Sequence, residues 1–307
     1  MLKVLSQGER RALYILNILF EIETRRKQGA ITILVVDDIA DSFDYKNKYA
    51  IIEYLKEISD SGKFWCIFLS HNFDFYRSIS GRLGLGRDCK LHATKTGRNL
   101  QLIQEKYQKN PFNHWKDNLT TPAFCISAIP FVRNLAEYCG LSDEFLKLTS
   151  LLHVKNDTDT MVLDELCMIY KKILADKAQL VLNPQTKLVI DLINEEAEAV
   201  FAAQEETVEL EGKIVLSIAI RLLAERHMIK KINNAAFIEG IKKNQTIKLL
   251  QEYKKLNHRR VEDILVLEQV NLMTPENIHL NSFMYEPILD LGVAHLKKLY
   301  QDVKQLP

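Results

Sequence analysis

Apolar residues change their spacing about a third of the way along this chain, and the change divides it. From Glu9 to about Lys27, Leu13, Leu16, Ile18 and Phe20 recur at helical intervals and Gln28-Gly29 supplies a stop, which predicts a helix. The next run, ITILVV (Ile31 to Val36), is near-continuous, rich in β-branched residues, and ends abruptly in Asp37-Asp38. Such a run predicts a strand buried on both faces. AIIEYLKEIS predicts a second amphipathic helix, FWCIFLS (Phe64 to Ser70) a second buried strand, and NFDFYRSIS a short helix after it. Helix alternating with buried strand implies a parallel α/β sheet.

After about Asn110 the texture differs. Pro111, Pro122 and Pro130 punctuate what reads as a connecting region, and strand-like runs become scarce. DEFLKLTSLLHV, DTMVLDELCMIYKKILADKA, KIVLSIAIRLLAERHMIKKI and VAHLKKLYQDVKQ carry apolar residues at helical spacing with charged residues between them. The expectation is an α/β domain over residues 1–108 and a mostly α-helical domain over residues 109–307.

Composition narrows the class without naming it. At 307 residues and 47% hydrophobic, the chain has material for a substantial core. Lys plus Arg number 41 against 40 Asp plus Glu, so no global field draws it to nucleic acid or to anionic membrane. Cys66, Cys89, Cys125, Cys139 and Cys167 are widely spaced with no C-x-x-C pair, which fits a reducing cytoplasm. Neither a signal peptide nor an apolar stretch of membrane-spanning length occurs. A soluble, cytoplasmic protein is expected.

Four features of the first half come in a meaningful order. LSQGE (Leu5 to Glu9) precedes the strand ending in Asp37-Asp38, then come ADSFD (Ala40 to Asp44) and a second strand ending in Ser70-His71. Each also has a plain structural reading: Ser6 with Glu9 makes a capping box, Asp37-Asp38 begins a loop, and His71 caps a helix. Taken together, the set resembles the C-terminal half of an ABC-type ATPase head, the class that includes the SMC/RecF-like ATPases. SFDYKNKYAIIEYL further resembles the ATPases linked to phage exclusion and anticodon nucleases, the PrrC/RloC type, over about residues 2–105.

The resemblance implies roles. Asp37 would hold Mg²⁺ through water and Asp38 would polarise the attacking water, although most members carry Glu there and Asp is one methylene shorter. His71 matches the switch histidine on the γ-phosphate, and Asp44 ends the D-loop that couples two heads. Ser6, Gly8 and Glu9 lie in the signature, which contacts ATP held by a partner head. No G-x-x-x-x-G-K-S/T phosphate loop occurs, since Gly81, Gly84 and Gly86 lack the Lys and Ser/Thr it needs. The expectation is therefore the C-terminal portion of a longer or split ATPase, working as a head-to-head homodimer or with a partner chain that supplies the loop. A non-catalytic split head retained for dimerisation or regulation is the alternative.

For the helical half, the same group implies a HEPN-class ribonuclease whose triad joins an Arg and a Glu four apart on one helix to a distant His. Arg221 and Glu225 have that spacing, which puts both on one helix face. His258 or His279 would complete the set, or Arg221 with His227 would fit the looser Arg-x4–6-His pattern. An ordinary surface ion pair is the commoner explanation of an Arg and a Glu at this spacing. HLNSFMYEPILDLG (His279 to Gly292) reads either as a carrier of site residues or as a docking loop. Lys242, Lys243, Lys254, Lys255, His258, Arg259 and Arg260 give a local basic bias, suited to RNA or DNA phosphates or to a solvated helix face.

Overall fold

A computed structural model describes residues 7–39, 45–96, 98–106, 110–203, 210–257, 260–274 and 293–307. Helix α1 (Gln7–Gln28) forms on the expected periodicity and stops at Gly29, whose φ of 67° a side chain would resist. Strand β1 (Thr32–Asp37), helix α2 (Tyr45–Asp60), strand β2 (Phe64–Leu69) and helix α3 (Phe73–Arg82) follow in the expected alternation. The two strands pair in parallel, Ile33 opposite Trp65 and Val36 opposite Phe68.

The register sorts the side chains into two faces. Leu34, Val36 and Phe68 turn to one side with Ile51, Ile52 and Leu55 of α2 and Phe75 and Ile79 of α3. Beside them, Ile22 of α1 meets Ile58 and Phe64. The opposite face is open: Ile33 is 69% and Trp65 71% exposed, and Val35 and Ile67 are exposed beside them. This corrects the expectation of strands buried on both faces. The apolar runs supply two apolar faces, but α2, α3 and the end of α1 all pack against the same one.

Strands β3 (Leu91–Thr96) and β4 (Asn99–Gln104) make a separate antiparallel pair where no element was expected. LHATKT and NLQLIQ mix polar and apolar residues, and Leu91, Leu100 and Leu102 are exposed, so burial leaves only a faint trace there.

The chain divides into two compact units, residues 1–92 with 103–105, and residues 93–102 with 106–307. The second is helical outside the hairpin residues. It comprises α4 (Pro111–Asp117), α5 (Pro122–Tyr138), α6 (Ser142–Thr149), α7 (Leu163–Ile173), α8 (Val189–Ala202), α9 (Leu210–Ile232), α10 (Ala235–Glu239), α11 (Gln245–Tyr253), α12 (Val261–Met273) and the last described helix, α13 (Val293–Lys304). The prolines expected to punctuate a connector instead serve helices. Pro111 and Pro122 occupy first turns, where the missing N–H costs nothing, and Pro130 lies within buried α5.

Helix α9 is the axis of this unit. Its residues from Leu210 to Leu222 are all buried, and α5, α8, α11 and α13 pack around it. A helix buried on every side belongs at the centre of a bundle, and here it carries Arg221 and Glu225 inside with it. Gly212 permits the approach of α8: a Cβ there would meet Val200 Cγ1 at 3.2 Å. Among the described residues, no helix is long and apolar enough to cross a membrane.

Candidate functional site

Parallel pairing sets the carboxyl ends of β1 and β2 side by side, the usual place for ligands in open α/β sheets. The ladder extends one residue further, the Asp38 N–H donating to the Leu69 carbonyl at 3.0 Å. Asp38 then takes φ 46°, a left-handed conformation that costs a non-glycine residue about 1–2 kcal/mol. Its carboxylate accepts the backbone N–H of His71 at 3.1 Å and lies 2.9 Å from His71 Nδ1. Asn72 stabilises this turn by capping α3, accepting the Phe75 N–H at 2.9 Å.

Two residues 33 positions apart are thus brought together with solvent access, the Asp38 side chain 42% and His71 67% exposed. A carboxylate beside an imidazole can accept a proton from water and hold a cationic ring toward an anion. Asp37 lies exposed at the end of β1, opposite Leu69. No group of three or more metal-ligating side chains converges among the described residues. Gly8 and Glu9 fall in the first turn of α1. Ser6 and Asp44 lie outside the described residues.

The helical unit holds a second cluster. Arg221 and Glu225 project from α9 as their spacing predicts, yet both are fully buried, so the surface ion-pair reading fails. After α6 the chain makes a tight turn in which Thr158 Oγ1 donates to the Ser150 carbonyl at 2.6 Å and accepts the Lys155 N–H at 2.8 Å. That turn presents His153 and Val154 to Glu225: His153 Nδ1 lies 2.8 Å from Oε1, and the Val154 N–H donates to Oε2 at 2.9 Å. From the start of α11, Thr246 Oγ1 donates to Oε1 at 2.6 Å and Gln245 Nε2 to Oε2 at 2.7 Å. Four donors match the acceptor capacity of one carboxylate.

Arg221 completes the group. Its Nε donates to Thr274 Oγ1 at 3.2 Å, and its Nη1 lies 3.4 Å from His153 Nε2. A guanidinium only donates, so Nε2 faces it as the acceptor and Nδ1 carries the proton given to Glu225. Burial pushes the Glu225 carboxyl up, but the His153, Thr246 and Val154 donors outweigh it and hold the group below the ordinary carboxylate range. Burial lowers Arg221 to about 10, opposed by Glu225 and assisted by Arg133. The result is an imidazole oriented by a buried carboxylate, with its second nitrogen beside a cation.

His153 was not a sequence candidate. The apolar spacing of DEFLKLTSLLHV continues through Val154, whereas α6 ends at Thr149 and His153 sits in the turn beyond. The polar string KNDTDT after it was the available sign of that turn. His227, the alternative partner, has its Nε2 3.3 Å from the Tyr253 hydroxyl, and Tyr253 leads on to Asp263 at 3.5 Å. Burial, with Lys231, pushes His227 below its ordinary value. His258 and His279, with the segment through Gly292, lie outside the described residues. No family of known proteins matches the chain, nor does any curated protein or solved structure.

Proposed function

We propose that the α/β unit is part of a nucleotide-hydrolysing ATPase head of the ABC type, in which Asp38 and His71 serve the reacting phosphate. The observation that carries this reading is the contact between the Asp38 carboxylate and the His71 imidazole at adjacent carboxyl ends of two parallel strands. Asp38 would accept the proton of an attacking water, and His71 would face the γ-phosphate. Asp37, a single exposed strand-end carboxylate, suits a Mg²⁺ ion held mainly by water and phosphate oxygens rather than by a protein cage. Mg²⁺ bound there would neutralise phosphate charge.

The sequence contains no phosphate loop, so this reading requires one from outside these 307 residues, on a longer form of the chain or on a partner polypeptide. The open apolar face of β1 and β2 supports such a complement, since parallel sheets are covered on both sides. Isolating the protein with its native partners and measuring phosphate release from Mg-ATP tests the reading. Hydrolysis should require a phosphate loop supplied by an upstream segment or a partner, and Asp38→Asn should lower kcat about 10²-fold or more. Hydrolysis that survives both Asp38→Asn and His71→Ala overturns it.

A second reading, metal-independent RNA cleavage in the helical unit, is favoured by one specific observation: His153 reaches both Arg221 and Glu225. In that chemistry Nε2 takes the 2′-hydroxyl proton, the 2′-oxygen bonds to phosphorus as the bond to the 5′-oxygen breaks, the 5′-oxygen takes a proton from water, and Arg221 stabilises the phosphorane. His153 keeps 13% of its side chain open, but Arg221 is sealed, which ranks this reading second. Incubation with small RNA in EDTA should yield discrete fragments with 2′,3′-cyclic phosphate ends. Fragments that persist with His153→Ala would rule it out.

A further inference from the structure

Charge is distributed very unevenly along this nearly neutral chain. The stretch from Arg226 to Arg260 holds ten Lys and Arg against two Glu, a net +8, while the whole protein is +1. Several of those cations are satisfied locally: Arg226 by Asp159, Lys254 by Glu268, Lys255 by Glu252 and Arg260 by Asp263. Lys230, Lys231, Lys242, Lys243 and Lys248 are exposed, and none makes an ion pair among the described residues.

Ordinary helix electrostatics explains only the first two. Lys230 and Lys231 stand in the last turn of α9, where the helix dipole favours cations. Lys242 and Lys243 precede the Asn244 N-cap of α11 and Lys248 lies in its first turn, the end where the dipole disfavours them. Three like charges gathered at the wrong end of a helix lower local stability unless an anion lies against them. The same turn is fixed from beneath: Lys155 Nζ donates to the Ile241 carbonyl at 3.2 Å, and Gln245 is tied to Glu225. The lysines therefore stand on a rigid base at the rim of the His153 cluster.

We propose that this surface, from the end of α9 across the 241–244 turn to the start of α11, binds the phosphodiester backbone of a nucleic-acid strand. Lysine ammonium groups are compact point charges on flexible stems, suited to contacts that follow a backbone without reading bases. With the whole-chain charge near zero, attraction comes from this patch and not from a general field. The inference does not depend on cleavage, because binding is measured directly and Arg221 lies outside the lysine set.

Fluorescence anisotropy of the full chain with labelled 20-nucleotide single-stranded RNA and DNA tests it. With four phosphate contacts, affinity should fall about 50-fold between 50 and 200 mM salt. The triple variant Lys242→Gln, Lys243→Gln, Lys248→Gln should weaken binding and reduce the salt slope by about 2, while the matching triple Lys→Arg variant should retain both. Circular dichroism checks that each variant is folded. Binding to both strands, or to RNA alone, supports the proposal and identifies the source. A salt-independent affinity, a triple Gln variant that binds like the original, or polyglutamate competing as well as RNA overturns it.

Discussion

Glu225 brings together four donors from two separate parts of the chain: His153 and Val154 in the turn after α6, and Gln245 and Thr246 at the start of α11. Removing it leaves the Arg221 guanidinium buried without its opposing charge and strands the donors. Glu225→Ala should therefore destabilise the helical unit by about 3–5 kcal/mol in urea unfolding at neutral pH. Glu225→Gln preserves the volume but turns an amide toward groups that themselves donate, so it should recover only part of the loss. The pH dependence has a definite sign. The folded carboxyl titrates below its ordinary value, so its contribution is fully present above about pH 4.5 and disappears as pH falls through the depressed folded value. Wild-type stability should fall in that acid range, and the fall should be shallower in Glu225→Gln. A parallel acid profile for the two proteins would assign the acid sensitivity to other carboxylates.

At the level of elements, what the sequence disclosed follows how strongly burial writes itself into spacing. ITILVV and FWCIFLS announced β1 and β2, because each is an apolar run of strand length, too short for a helix, that stops at a polar residue, Asp37 or Ser70. The same runs misled about coverage, since they record two apolar faces without recording which neighbours are present. LHATKT left little trace of β3. Pro111 and Pro122 look like breakers by residue type alone and act as helix starters in context. The candidate sites divide in the same way. Asp38 and His71 were legible because each follows the end of a strand, and strand ends are adjacent in a parallel pair. Arg221 and Glu225 were legible as a helical pair, but their burial and His153 were not. A turn that returns a histidine from 72 positions away has no local period.

Across the whole molecule, the two units have separate hydrophobic cores of very different character. The α/β unit packs α2, α3 and the end of α1 on one face of a two-stranded sheet and leaves Ile33, Val35, Trp65 and Ile67 in water. The helical unit wraps a helix buried through its first thirteen residues and secures it with a satisfied polar cluster. Apolar burial scales with the area removed from water, about 25 cal/mol per Å², so the unit with a closed core should be the more stable. Calorimetry on the full chain should resolve two transitions, the α/β unit melting first. Glu225→Ala, which touches only the helical cluster, should then lower the second transition and leave the first in place. Replacing Trp65 and Ile67 by Ser should leave both transitions in place, because those side chains are already in water in the isolated chain. A single transition shifted as a whole by Glu225→Ala would mean that the units unfold together, and that the polar cluster around α9 stabilises β1 and β2 as well.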